Sequence, residues 1–330
     1  PELPLSWYLE LLEQLRSEFP MVHLHAFSPP EIIEFINFFD TPGKNTEEKI
    51  RYVLKELQNA GLQSIPGGGG EIFASAVREK IGLGKCTGDV WLLVMRVAHE
   101  LGMNTSATMM FGHIEGIADR IHHLDQVRSW QDRSIQDFGL NGGGRYVSFI
   151  SWPFQPDNTP LGRLPEMTDG SAFPGDEVAK LDGSGHKSMH KDFGRRLRLA
   201  GSSSYLRTQA ISRLYLDNIY SIGSSWVTMG PAIGQTALMY GANDLGSVML
   251  EENVVSAAGT TWCLDEPKLC RMIREAGFTP AKRDNAYNIL AIHNDEKAPD
   301  RQVKDWSLLN KDRLVSHNDS CEAVTLTVSS

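Results

Sequence analysis

With 330 residues, the chain exceeds the usual size of one hydrophobic core unless it is an α/β barrel, which commonly runs to about 250 residues or more as a single domain. Hydrophobic residues make up 41% and charged residues 22%, a balance that allows a large buried core. A formal net charge of −9 argues against a general nucleic-acid or anionic-membrane surface, which would need clustered Lys and Arg, so neither partner is expected.

Ser6 to Phe19 carries Trp7, Leu11, Leu12, Leu15 and Phe19 at close to helical spacing, with Ser6 as its candidate cap. The first residues form no basic leader, and the chain has no 18-residue apolar span, so the expected location is the cytoplasm. Met21 to Phe27 alternates apolar residues with His23 and His25 and stops at Pro29 and Pro30, which predicts a strand. Its two histidines would share a face, either as part of a metal site completed by a third ligand or as the polar lining of a barrel. Helices are predicted over Pro30 to Phe39 and Thr46 to Ala60, the second closed by Gly61.

Leu62 to Phe73, LQSIPGGGGEIF, joins a short apolar strand to a proline stop, four glycines and one carboxylate. A helix is predicted from Ile72, with Glu71 in its first turn, where the helix dipole favours an acid. The glycines fit neither a Gly-x-x-x-x-Gly-Lys phosphate loop nor a dinucleotide fingerprint. Glu71 would repel a pyrophosphate, so the loop is suited to hydroxyls and amines, the alternative being a turn without ligand. Asp89 to Leu101 is a further helix. Met103 to Phe111 is a small and apolar run typical of a strand buried on both faces. Gly112, His113 and Glu115 follow it, and Gly116 to Trp130 is helical, with His122 and His123 expected to be solvated or capping. Tyr146 to Phe154 is the next strand.

Later elements are a helix over Tyr205 to Ile219, a strand over Ser225 to Met229, a helix over Ile233 to Tyr240 and the start of a strand at Asp244 to Val248. Asn243, Asp244, Glu251, Glu252 and Asn253 are dense in acceptors, suited to a cation, to sugar hydroxyls or to capping. Alternating strands and helices, with polar residues after each strand, predict a parallel β/α barrel working at its strand C-terminal ends. The barrel is expected over 1–297, with surface insertions at about 134–144 and 164–204 and an irregular tail over 298–330. Cys86, Cys263, Cys270 and Cys321 contain no Cys-x-x-Cys and read as reduced thiols, signalling neither disulfide nor zinc. Patterns for metalloproteases and serine hydrolases are absent.

Seven segments in order, HLHAFSPPEI, SIPGGGGEIF, ATMMFGHIE, SWPFQPDNT, RLYLDNI, SWVTMGPAIGQTAL and GANDLGSVMLEENVVSAAG, resemble the radical S-adenosylmethionine enzymes of the futalosine menaquinone pathway and their deazaflavin-synthase relatives. The wording VTMGPAIGQ and MLEENVVSAAG is most similar to the dehypoxanthine futalosine cyclases. The resemblance implies a (β/α) TIM-type barrel and two cofactors, S-adenosylmethionine and a 4Fe-4S cluster fed by an external electron donor. It also implies a nucleoside-like substrate whose ribose loses a hydrogen to a 5′-deoxyadenosyl radical before ring closure. Carried onto these positions, Ser64, Gly67, Gly68, Gly69, Glu71, Met110, Gly112 and His113 would line the cofactor. Ser28, Gln155 and Asn158 would meet substrate, and His25 or Asp244 would act as acid or base. The family's Cys-x-x-x-Cys-x-x-Cys loop has no counterpart here, and GGGGE stands where GGGAE is usual. The expectation is therefore a barrel incomplete at its N-terminus, with no metal ligands in this chain and no turnover by it alone. Alternatives are the aminofutalosine synthase branch, the deazaflavin synthase branch, and a non-catalytic remnant.

Overall fold

A computed structural model describes residues 3–82, 84–140, 142–167, 194–248 and 262–308. Its centre is a parallel sheet of four strands in sequence order: β1 (Ser64–Ile65), β2 (Asn104–Phe111), β3 (Tyr146–Pro153) and β4 (Ser221–Gly223). Single parallel bridges extend it at both edges, His25 to Ser64 on one side and Gly223 to Asp244 on the other. Every core strand thus has its successor in the chain as its neighbour, which requires a crossover after each strand.

Helices supply those crossovers. α1 (Leu5–Glu18), α2 (Pro29–Phe38) and α3 (Thr46–Asn59) precede β1, and α4 (Ser75–Ile81) and α5 (Gly88–Glu100) lie between β1 and β2. α6 (Ile117–Phe138) leads to β3, and α7 (Ser202–Tyr215) leads to β4. Short α8 (Trp226–Met229) and α9 (Pro231–Met239) follow, then α10 (Glu266–Glu275) and an antiparallel hairpin of β5 (Ala281–Arg283) and β6 (Ile289–Ile292). Side chains set several boundaries: Asn45 Oδ1 accepts from Glu48 N, Thr87 Oγ1 from Val90 N and Asp265 Oδ1 from Lys268 N, each an N-cap. Ile50, Val53, Leu54 and Leu57 of α3 and Trp91, Val94, Met95 and Val97 of α5 are buried completely, forming the layer behind the sheet.

Several predicted elements differ. Met21 to Phe27 is not a strand; only His25 pairs, because Phe27 takes φ 60 and turns the chain into α2. The helix expected from Ile72 starts at Ser75, and Glu71 sits before it with φ 45 rather than in its first turn. Of the strand expected over Ser225 to Met229, Trp226–Met229 is helical, and the strand lies earlier, at Ser221–Gly223, where Ser148 to Ile150 of β3 provide the ladder. α6 runs on to Phe138, into the stretch expected as an insertion. Ser134 there is buried and bonded through Oγ to His99 Nδ1 at 2.7 Å. His123 is fully buried instead of solvated, with its ring stacked 4.0 Å from Phe73. Of the second expected insertion, 168–193 lies outside the described residues, whereas Leu197 bridges Glu166 and Arg198 N donates to His113 O. Residues 299–302 form a 3-10 turn whose Asp300 pairs with Arg274 of α10. Glu251, Glu252, Asn253 and Cys321 lie outside the described residues.

Candidate active site

The loop after β1 is held at each of its four glycine carbonyls. Gly67 O accepts from Thr108 Oγ1, Gly68 O from Trp91 Nε1 at 3.0 Å, Gly69 O from Arg78 Nη2 at 2.8 Å and Gly70 O from Arg78 Nη1 at 2.9 Å. Gly67 N donates in turn to Ser106 Oγ, and Met110 N to Glu71 O, so the loop runs along β2 as an irregular continuation of β1. The glycines are required by that approach: a Cβ on Gly67 would stand 2.5 Å from Ser106 O, and one on Gly70 2.5 Å from Thr108 O. Glu71 then enters the left-handed region, where a non-glycine residue is strained, and turns its carboxylate to a cavity.

That cavity, of about 740 Å³, follows β2 from Asn104 to Met110. At one end lie Glu71, Met110, Phe154 and Gln155, with Lys85 paired to Glu71 Oε1. At the other lie His25, Ser64, Ser148, Ser221 and Asp244, beneath which the β5 to β6 hairpin places Arg283 and Tyr287. Asp244 is committed there: Arg283 Nε donates to its Oδ2 at 2.5 Å, and its Oδ1 accepts from Gly246 N. Tyr287, in the left-handed region, stacks on the Arg283 guanidinium at 4.0 Å and faces Ser148 and Ser221. His25 Nδ1 is 2.6 Å and His23 Nε2 2.7 Å from the Ser64 hydroxyl. One hydroxyl carries one proton, so Ser64 donates to one ring and accepts N–H from the other. Burial, reinforced by the neighbouring His23, lowers His25 to about 4, which leaves it neutral at ordinary pH.

The sequence-predicted residues divide accordingly. His25, Ser64, Glu71, Met110, Gln155 and Asp244 line the cavity together. Ser28 instead caps α2, its N–H and hydroxyl both donating to Glu31 Oε2 at 2.7 Å. Gly67, Gly68 and Gly69 form the support behind Glu71 rather than cavity wall, and Asn158 lies in the turn after β3. His113 is completely buried, with Nε2 against Met110 O, and Gly112 is covered by Ala200. Sequence reasoning passed over Arg78, Lys85, Thr108, Arg283 and Tyr287. Arg78 and Lys85 reach the loop only because α4 folds back over it, and the hairpin carries no motif, so no local spacing marks them.

The donors suit an adenosyl group: a carboxylate that can accept sugar hydroxyls, beside an unbranched thioether side chain able to lie along a ring. They do not fit an iron–sulfur cluster. Among the described residues no three His, Cys, Asp or Glu side chains gather as a metal site, and burial raises the Cys86 thiol and raises that of Cys270 to about 11. Among the described residues, too, no helix is long and apolar enough to cross a membrane.

A family model described as the CofH/MqnC C-terminal region matches residues 187–296. The cyclic dehypoxanthine futalosine synthase of Halalkalibacterium halodurans is 37% identical over 301 residues, 91% of this chain and 68% of that protein. The aminodeoxyfutalosine synthase of Thermus thermophilus is 36% identical over 294 residues, 88% of this chain and 67% of that protein. A 5-amino-6-(D-ribitylamino)uracil–L-tyrosine 4-hydroxyphenyl transferase of Methanopyrus kandleri is 33% identical over 296 residues, 89% of this chain and 68% of that protein. At these identities and coverages the chain belongs to the futalosine-pathway family of radical S-adenosylmethionine enzymes.

Proposed function

We propose that this chain provides the cofactor and substrate cavity of a cyclase that converts dehypoxanthine futalosine to its cyclic product. The observation that carries the reading is the cavity itself, with Glu71 at one end and a lining of serine hydroxyls and His25 at the other. Such a lumen takes an adenosyl group and a second, hydroxyl-rich nucleoside-like molecule in line. The consecutive parallel order of β1 to β4 supports reading the sheet as an arc of a TIM-type barrel.

S-adenosylmethionine, when bound here and given one electron by an iron–sulfur donor outside the described residues, would supply hydrogen-atom abstraction. The chain's own residues do the rest. Glu71 would accept the ribose hydroxyls and Met110 would flank the adenine, which would fix the ligand's orientation before reaction. Ser64, Ser148 and Ser221 receive substrate hydroxyls, with Gln155 near the cofactor end. Once the cyclised radical has passed one electron to an external acceptor, His25 would take the released proton at Nε2, in the tautomer whose Nδ1–H donates to Ser64 Oγ, burial keeping the ring unprotonated beforehand. Asp244 anchors the hairpin through Arg283.

The test is equilibrium binding of dehypoxanthine futalosine to this chain, competed with 5-amino-6-(D-ribitylamino)uracil. Preference for the futalosine supports the cyclase. Preference for the ribitylaminouracil transfers the chain to the transferase branch, and displacement by neither refutes a nucleoside-like site.

A further inference from the structure

We propose that Arg78 is the positioning residue of this site, a buried guanidinium that fixes the strained Glu71 backbone and so aims its carboxylate at the ligand. The inference rests on the reading that Glu71 receives an adenosyl group. Arg78 is 5% exposed, yet among the described residues its hydrogen bonds go to backbone carbonyls rather than to a carboxylate. Its donors are spent on three carbonyls: Gly69 and Gly70, immediately before Glu71, and Cys86 at 2.6 Å, immediately after Lys85.

This is a costly use of a charge. A buried cation is ordinarily matched by an anion, and three neutral carbonyls compensate it only in part. The expense has a structural return. A non-glycine residue at φ 45 persists only where its surroundings over-determine it, and the peptide planes on the N-terminal side of Glu71 are what Arg78 grips. On the C-terminal side Glu71 O is taken by Met110 N at 3.1 Å. The same guanidinium holds the Cys86 carbonyl and thereby the segment that brings Lys85 to the carboxylate. Lysine could not do this, because its three donors diverge from one nitrogen and cannot span carbonyls of three residues in one plane. Arg78 touches no cavity surface, so it acts through Glu71.

A double-mutant cycle tests this. Affinity for S-adenosylmethionine is measured by equilibrium dialysis on the wild-type chain, Arg78→Met, Glu71→Gln and the double variant. Each single variant is expected to bind about tenfold more weakly, and the double variant no more weakly than Glu71→Gln alone, because Arg78 has nothing left to position. Wild-type affinity in Arg78→Met, or losses that multiply in the double variant, would overturn the proposal. Arg78→Lys serves if the methionine variant fails to fold, with the same non-additive pattern expected at smaller size. Amide hydrogen exchange supplies a ligand-free readout: residues 67–71 should exchange at least tenfold faster in either variant while β2 is unchanged, and unaltered exchange there contradicts the clamp. A wild-type chain that binds no adenosyl ligand removes the cofactor reading, while the exchange result still decides Arg78.

Discussion

Glu71 and Glu115 each follow a glycine turn at the C-terminal end of a parallel strand, and in the folded chain they face opposite demands. Glu71 lines the cavity with φ 45, and among the described residues its side chain is paired at one oxygen, to Lys85. Glu115 has no exposed side-chain surface. Its Oε1 accepts from Gly112 N at 2.6 Å and from Arg120, and its Oε2 accepts from His113 N at 2.8 Å. Arg120 also reaches Ser204 and Thr208, so Glu115 ties the end of β2 to α6 and α7. Burial alone would raise the Glu115 carboxyl, but His113, Arg120 and the backbone donors hold it far below the usual carboxylate range. Two acids in similar sequence settings thus serve different ends. One completes a turn, and the other is turned to a cavity by a backbone strained to present it.

The largest expected effect breaks the fixed member of this pair. Glu115→Gln leaves the Arg120 guanidinium buried against a neutral amide and should destabilise the fold by about 3–5 kcal/mol in denaturant unfolding. A loss below about 1 kcal/mol would mean that the turn is held by backbone alone.

The acid limb of stability sharpens the same contrast. Burial lowers His99 to about 3, while Ser134 and Thr105 occupy its two ring nitrogens. The unfolded chain takes up that proton below about pH 6.5 and the folded chain does so only near 3. Stability is therefore fully present above the unfolded value and falls with pH through that window, with a slope of up to about 1.4 kcal/mol per pH unit from this group. Glu115, depressed in the folded state, adds its own loss below the unfolded carboxylate value. His99→Gln should flatten the slope between pH 6 and 4, and an unchanged slope there removes His99 as its source.

Two smaller effects probe Glu71. Glu71→Gly places a glycine at a positive φ, so relief of strain and added unfolded-state entropy oppose each other, and thermal unfolding should show a change of within about 1 kcal/mol. Destabilisation well beyond that would make Glu71 a second structural acid like Glu115. Lys85→Met removes a partner that is 41% exposed and should cost no more than about 1 kcal/mol.

Much of the frame was legible because its signals are local. α3 and α5 follow from apolar periodicity, and β2 follows from a small, apolar run whose two faces are both covered. Where local pattern and tertiary pairing part, the reading fails. His23 and His25 alternate like strand residues, yet only His25 finds a backbone partner. SWVTM has strand composition but closes into a helical turn because the ladder on β3 is already used by Ser221 to Gly223. In the site, Glu71 could be singled out by its glycines. His113 could not be excluded, because nothing in GHIE tells that its ring turns inward onto Met110 O. Arg78, Arg283 and Tyr287 come from segments that meet the site only in three dimensions.

The most direct test of the central claim is a titration of this chain and of Glu71→Ala with S-adenosylmethionine, followed calorimetrically under identical conditions. If the carboxylate receives the adenosyl group, the variant should bind more weakly by about 1–3 kcal/mol, the range for losing a charged hydrogen-bond partner, with its unfolding midpoint nearly unchanged. Equal affinities for the two proteins would contradict the account and leave the glycine loop as a structural turn.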